Sequence, residues 1–345
     1  MNPHAQAWRM PAEWEPHEAT WISWPRPEGI SFPGAYDEVL PIFRKMVELL
    51  IPSEIVRINC GGIEKFVEKQ LAGLDMSRVE LVSIPTNEPW CRDHGPMFVR
   101  QQSTGRLAIV NWTYNAWGGK YPPYGFDDAV AGEVSERYGF PLLQGGMVLE
   151  GGAIDVDGQG SLLTTTSCLL HPNRNPDLTQ AEMEKLMSQA LGIECFVWLG
   201  DGIAGDDTDG HIDDMTRWVA PGRVVTARES NSHDPNFESL EDNYQRLLEF
   251  RTSQGNALEV FSMPMPEPLF RENQRLPASY ANFYIANDVV LLPVFGDPQD
   301  QEAIGLLRGV FPDRTICPID CRSLVWGLGA FHCLTQQQPV AETHS

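Results

Sequence analysis

Apolar residues return at helical spacing in four stretches of the chain, 36–50, 62–71, 179–191 and 238–251, and the pattern predicts a helix in each. In the second, Ile63, Phe66, Val67 and Leu71 fall on one face. Asp177 and Thr179 are candidate caps for the third, with Glu182 in capping-box register after Thr179. Short runs rich in β-branched residues predict strands at 54–58, 78–83, 97–99, 107–110, 153–156, 161–165, 217–220, 223–226, 283–286, 289–294 and 315–319. The turn pairs Asp157-Gly158 and Pro221-Gly222 join neighbouring strands as hairpins. Short strands interleaved with helices give an α/β or α+β assignment, taken here as α/β. No Ser/Gly-rich linker or long charged run divides the chain, so residues 1–345 read as a single domain.

Polar clusters at Asp93, Glu150, 211–213, Asn282 and Cys333 each abut a predicted strand, at intervals of about 50 to 70 residues. Five similar units converging their polar groups on one centre would produce that spacing, and so would chance.

Composition narrows the classes. The chain has a formal charge of −22 and a pI near 4.6, which argues against nucleic acid or an anionic membrane as partner. An acidic field attracts cationic small molecules, although acidity also serves solubility alone. No apolar run approaches the roughly 20 residues of a membrane helix. The first residues do not combine a basic start with an apolar stretch, so no signal peptide is expected. Seven cysteines without paired spacing fit free thiols in a reducing compartment, so a cytoplasmic location is the default expectation.

Four motifs carry candidate chemistry. Cys333 follows glycines in Gly327-Leu328-Gly329-Ala330-Phe331-His332-Cys333, where flexible backbone lets a small substrate approach a thiol nucleophile. A lone cysteine also reads as a buried structural residue, as do the other six. His211, in Asp209-Gly210-His211-Ile212-Asp213-Asp214, can protonate a leaving amine and then activate water. Asp213 shares its face if the stretch is extended. This acidic run lacks a second histidine at metal spacing and the full oxygen set of a calcium loop. In Trp90-Cys91-Arg92-Asp93-His94-Gly95-Pro96, Asp93 can pair with a cation stacked on Trp90, while Arg92 can pair elsewhere on the surface. Glu150-Gly151-Gly152 supplies a carboxylate where a ligand nears the backbone. Each of these last motifs also reads as an ordinary turn. Taken together, Asp93, Glu150 and Asp213 complement a planar cation, with Cys333 placed to attack its central carbon and His211 as acid and base. His332 falls on the opposite face if its segment is extended, and reads as structural.

With these motifs in order, the chain resembles the agmatine deiminases and related bacterial peptidylarginine deiminases of the guanidine-modifying superfamily. The resemblance also rests on Met10-Pro11-Ala12-Glu13-Trp14-Glu15-Pro16-His17, Ala278-Ser279-Tyr280-Ala281-Asn282-Phe283-Tyr284-Ile285-Ala286-Asn287, Phe295-Gly296-Asp297-Pro298 and His332-Cys333-Leu334-Thr335-Gln336-Gln337. It implies a five-bladed α/β propeller of ββαβ units with the site on its axis. It also implies Cys333 as nucleophile, His211 as general acid/base, Asp93 and Asp213 as guanidinium clamps with Glu150 assisting, and Trp90 and Asn282 lining the site. No cofactor and no metal are expected. The chain departs from the family pattern at Leu328, where glycine is usual, at Ala330, where asparagine is usual, and at Asp214, which often aligns with asparagine.

Agmatine is the expected substrate within the family, giving N-carbamoylputrescine and ammonia through a covalent thiouronium on Cys333. Its far amine wants a second acidic contact, for which Asp201, Asp206 and Asp207 are candidates. Arginine or peptidyl arginine is the alternative and would want an Arg for its carboxylate. A guanidinium- or polyamine-binding protein without catalysis, and a metal-dependent hydrolase built on His211 and its aspartates, are readings of other classes. A homo-oligomer is compatible with all of them.

Overall fold

The computed structural model describes residues 8–252 and 255–342. Its strands fall into five mixed sheets and one two-stranded ribbon. In each mixed sheet a short antiparallel step is followed by a parallel step, and a helix makes the parallel crossover. Parallel neighbours need such a crossover because a tight turn reverses direction.

Glu64–Gln70 makes an additional crossover from Ile55–Asn59 to the parallel strand Val79–Val82, and the five that recur, one in each mixed sheet, are Tyr36–Leu50, Gly125–Tyr138, Gln180–Leu191, Asn236–Glu249 and Asp300–Val310. The strands they join are His17–Ser23 to Ile55–Asn59, Leu107–Thr113 to Leu142–Val148, Ser161–Thr165 to Cys195–Leu199, Arg223–Arg228 to Glu259–Pro264, and Val289–Val294 to Thr315–Asp320. Antiparallel to the first member of each pair lie, in the same order, Thr335–Pro339, Met97–Gln101, Asp155–Val156, Thr216–Ala220 and Tyr284–Ile285. The hairpins expected at Asp157-Gly158 and Pro221-Gly222 are two of these antiparallel steps.

The last strand therefore pairs with the first of the pairs, Gln336 opposite Trp21 and Gln337 opposite Thr20. Just before each antiparallel strand the backbone makes a tight turn or bend. These are the helical turn Cys91–His94, the 3-10 turns Gly151–Ala153 and Ile212–Asp214, the segment holding Asn282, and the helical turn Phe331–Leu334. The five polar clusters of the sequence sit there, at one recurring place in the architecture.

Besides helices of a single turn, the apolar pattern predicts neither Gly125–Tyr138 nor Asp300–Val310, and it misses the strands His17–Ser23, Leu142–Val148, Cys195–Leu199, Glu259–Pro264 and Thr335–Pro339. Gly125–Tyr138 buries only Asp127, Val130, Ala131 and Val134 and has Gly132 at its middle, so its apolar stripe is too narrow to read. Glutamines occupy three of the five positions in Thr335–Pro339, yet every one is buried; Gln338 Oε1 accepts from Trp21 Nε1 at 3.0 Å and Gln337 Oε1 from Arg92 Nη1 at 2.7 Å, while Gln336 Oε1 and Gln338 Nε2 have no partner among the described residues.

The cap of Gln180–Leu191 is Thr179, reciprocally bonded with Glu182 as a capping box, and Asp177 takes no part in it. Thr179→Ala is expected to lower stability by about 1 kcal/mol, read as a lower urea midpoint with an unchanged slope. No helix among the described residues is long and apolar enough to cross a membrane.

Candidate active site

A cavity of about 210 Å³ opens beside Cys333. Cys333 and Asp93, both nearly inaccessible, form its inner end. Trp90, Trp117, Trp326, Leu328, Ile30 and Pro33 make apolar walls, while Glu88, Tyr121, Asp207, Thr208 and Gln274 supply polar groups. Trp90 is held by a hydrogen bond from Nε1 to Ser31 Oγ at 2.8 Å. A Cβ on Gly327 or Gly329 would come within 2.8 or 2.6 Å of the Trp90 ring, so these two glycines admit the ring against the backbone before the thiol. Leu328 between them has φ of 70°, a left-handed conformation that costs a leucine roughly 1–2 kcal/mol, and it keeps this geometry at the cavity wall.

Cys333 rides on the turn Phe331–Leu334, and Asn282 organises that turn. Asn282 Oδ1 accepts from the amides of Ala330, His332 and Cys333 at 3.2, 3.1 and 3.3 Å. Its Nδ2 donates to Cys333 Sγ at 2.9 Å and to Asp214 Oδ1 at 3.0 Å. Asn282 thus stands behind the sulfur rather than on the cavity wall. Burial and the carboxylates of Asp213, Asp214 and Asp93 hold the Cys333 thiol well above the ordinary cysteine range, and the Asn282 hydrogen bond offsets part of this.

The acidic groups and His211 pack around Gly152. A Cβ there would lie 2.6 Å from His211 Nδ1, 2.7 Å from Asp93 Oδ1 and 3.0 Å from Asp213 Oδ2, so only glycine permits the convergence. Asp93 accepts from the Gly152 amide at 2.9 Å and from Trp117 Nε1 at 3.0 Å. Glu150, fully buried, accepts from Arg174 Nε at 2.7 Å through one oxygen. His211 Nδ1 is 3.7 Å from Asp93 Oδ1 and 3.9 Å from Asp213 Oδ1. Residues 212–214 form a 3-10 turn, so Asp213 reaches His211 by a tight bend and not by strand alternation.

Burial lowers the pKa of His211, but the charge of Asp93, a contact with Cys168 and the charge of Asp213 outweigh it and hold the imidazole well above its usual value. Burial raises Asp213, yet His332, His211 and Arg217 bring it below the ordinary aspartate value. Asp93 is raised by burial, against the pull of His211. Asp214 is pushed well up by burial and by Asp213 and Asp206. Among the described residues, three buried carboxylate oxygens of this group have no hydrogen-bond partner: Glu150 Oε2, Asp213 Oδ1 and Asp214 Oδ2.

Asp207 lies farther out, bonded by Tyr121 and 3.3 Å from Lys120 Nζ. Among the described residues two triples have the donor types and closeness of a metal site, with ligand atoms within 4.8 Å of one another: Glu150, Cys168 and His211, and Asp213, Asp214 and Cys333. Both draw on the groups just described.

Sequence reasoning passed over Trp117 and Arg174, and read His332 as structural. Trp117 is delivered by a left-handed run, with φ of 52°, 55°, 87° and 79° from Ala116 to Gly119, and the pair Gly118-Gly119 after it was the available signal. Arg92 is not at the surface: it is buried, donating to Gln337 Oε1 at 2.7 Å and pairing with Glu13 Oε2 at 3.0 Å. His332 lies on a helical turn, so the extended segment that would put it on the face opposite Cys333 is not formed, and its Nδ1 is 2.7 Å from Asp213 Oδ2.

Residues 9–339 match the Porphyromonas-type peptidyl-arginine deiminase family. An agmatine deiminase of Pseudomonas aeruginosa is 38% identical, over 98% of this chain and 97% of its own. The solved agmatine deiminase of Enterococcus faecalis is 33% identical and superposes with a TM-score of 0.90, covering 98% of this chain and 97% of that one. A cysteine-to-serine variant of a C. jejuni agmatine deiminase, solved with substrate bound, is 26% identical with a TM-score of 0.89, covering 97% of each chain. Its α/β fold is that of these structures, and the chain belongs to the family of agmatine deiminases and Porphyromonas-type peptidyl-arginine deiminases.

Proposed function

We propose that this chain is an agmatine deiminase that hydrolyses its substrate through a covalent thiouronium on Cys333. The observation that carries the reading is the pair of buried, partnerless carboxylate oxygens near the thiol, Glu150 Oε2 and Asp213 Oδ1. Buried polar atoms are nearly always satisfied, and a guanidinium brings five or more N–H donors in one plane to such a site. The names of the full-length relatives support agmatine as the guanidinium in question. The five sheets are proposed to close as a five-bladed propeller, and residues 1–345 to act as one catalytic domain. Pairing of Thr335–Pro339 with His17–Ser23 supports both. Of that span, residues 1–7, 253–254 and 343–345 lie outside the described residues.

In this mechanism the guanidinium enters past Trp90, and Asp93 and Asp213 hold its nitrogens with Glu150 assisting. The arriving positive charge lets Cys333 release its proton to solvent, and the thiolate attacks the central carbon, forming the C–S bond. His211, charged in the resting site, protonates one amino group, and the C–N bond breaks to release ammonia. The neutral imidazole then takes a proton from water as the oxygen bonds to carbon. The C–S bond breaks, the electron pair returns to sulfur, and the surplus proton of the urea product restores the thiol. Asp207, at the outer part of the cavity, is assigned to the far amine.

Because the resting thiol lies above the ordinary range, its thiolate fraction near pH 8 is small and grows with pH. Labelling of Cys333 by neutral iodoacetamide is therefore expected to accelerate continuously from pH 7 to 9, while a cationic haloacetamidine labels faster at every pH. Mass spectrometry of the labelled peptide checks this, and a pH-independent rate with no preference for the cation is the contrary result. The activity itself is tested by ammonia release from agmatine, arginine and a C-terminal-arginine peptide, using chelator-treated protein. Release from agmatine is the expected result. Release from another of the three moves the substrate within the family, and silence on all three refutes the reading.

A further inference from the structure

The motif opening the matched region and the histidine beside the nucleophile have no part in the chemistry above, yet they meet in the interior. Glu13 is buried among three basic side chains. Its Oε2 lies 2.8 Å from His332 Nε2 and accepts from Arg92 Nη2 at 3.0 Å. Its Oε1 lies 2.9 Å from Arg217 Nη2 and accepts from the Ile285 amide at 2.8 Å. On the far side of the imidazole, His332 Nδ1 is 2.7 Å from Asp213 Oδ2. That same oxygen is 3.4 Å from Cys333 Sγ, while Asp213 Oδ1 has no hydrogen-bond partner.

We propose that Glu13 and His332 are positioning residues, with Glu13 fixing the His332 ring and the ring fixing the Asp213 carboxylate so that Oδ1 faces the substrate guanidinium. A carboxylate with one oxygen pinned cannot swing about its terminal torsion, so its other oxygen keeps one direction. A clamp that need not be ordered on binding spends less of its interaction energy on entropy. The arrangement is costly as mere scaffolding. Burying Glu13, Arg92, Arg217 and His332 together carries a desolvation penalty that a packed apolar cluster would avoid. An orienting role accounts for its geometry: one end of the chain of contacts is anchored by two guanidinium groups, and the other ends at the thiol.

The inference rests on the deiminase reading, and the experiment keeps the two apart. Agmatine affinity is measured by titration calorimetry on Cys333→Ala protein, where nothing turns over. In that background His332→Leu is expected to weaken binding at least tenfold. His332→Asn, whose amide nitrogen can occupy the position of Nδ1, is expected to restore most of the loss. Glu13→Gln, which keeps an acceptor for the Ile285 amide, is expected to give an intermediate loss. Urea midpoints for the same proteins report damage to the fold separately. Equal affinities across the set with changes only in the midpoints overturn the proposal, as does an equal loss in the Leu and Asn variants. If substitution at one of the two positions prevents folding, the other decides by the same reading. Failure of the Cys333→Ala parent to bind any guanidinium would instead refute the deiminase function itself.

Discussion

Cys333→Ala is expected to abolish ammonia release, with a loss on the order of 10⁴-fold or more, while substrate binding stays measurable. The thiol is at the inner end of the cavity, and the hydrogen bonds that Asn282 accepts from the amides around it are backbone contacts that alanine keeps. The turn should therefore hold its shape without the sulfur. What disappears is the one group in the cavity able to form a bond to the guanidinium carbon. Asp93 and Glu88, the other buried acidic residues there, offer only carboxyl groups, which accept hydrogen bonds from a cation. Ammonia release by quenched-flow and binding by calorimetry make the comparison. Retained turnover sinks the assignment of the nucleophile.

The second large effect is expected at His211. Replacement by Asn preserves much of the volume but cannot carry a proton, and both halves of the reaction need one moved. A loss of roughly 10²–10⁴ in kcat is expected, with a smaller change in KM. The sign of the pH dependence follows from the raised imidazole: the charged form persists through neutral pH, so protonation of the leaving amine is retained until pH rises past the elevated pKa. The wild-type profile is expected to fall on the alkaline side, and the His211→Asn profile to lose that limb. An unchanged profile, or a kcat within threefold of wild type, argues that another group moves the proton.

Much of this site was legible because its residues are chemically loud and punctuated. Glu150 followed by two glycines, His211 after Asp209-Gly210, and Cys333 after a glycine-rich run each pair a reactive group with backbone freedom, and all three lie together in the fold. The helices Tyr36–Leu50 and Gln180–Leu191 were legible for another reason, since each buries a regular apolar stripe. The remainder was hidden by tertiary context. Thr335–Pro339 is a strand of buried polar residues whose partners come from the start of the chain. His332 could be assigned a direction only by assuming an extended backbone, and the helical turn Phe331–Leu334 reverses that assumption. The role of Trp117 depends on a left-handed run that no periodicity announces. Arg92 looked like a surface partner because arginine usually is one, and it is acceptors far away in sequence, the Glu13 carboxylate, Gln337 Oε1 and the His332 carbonyl, that make its burial tolerable.

The pairing of Thr335–Pro339 with His17–Ser23 has a consequence for biosynthesis. Among the described residues these strands are nearly the most distant in sequence, and the nucleophile lies two residues before the later one. During translation the other four sheets can form in turn as their strands leave the ribosome, whereas the sheet containing His17–Ser23 waits with an open edge. Its completion and the arrival of the thiol are the same late event, reached only after closing a very long loop. A nascent chain is thus chemically silent until its final strand docks. A ribosome-stalled product ending before Thr335 would expose the edge of His17–Ser23 as a template for association with other chains.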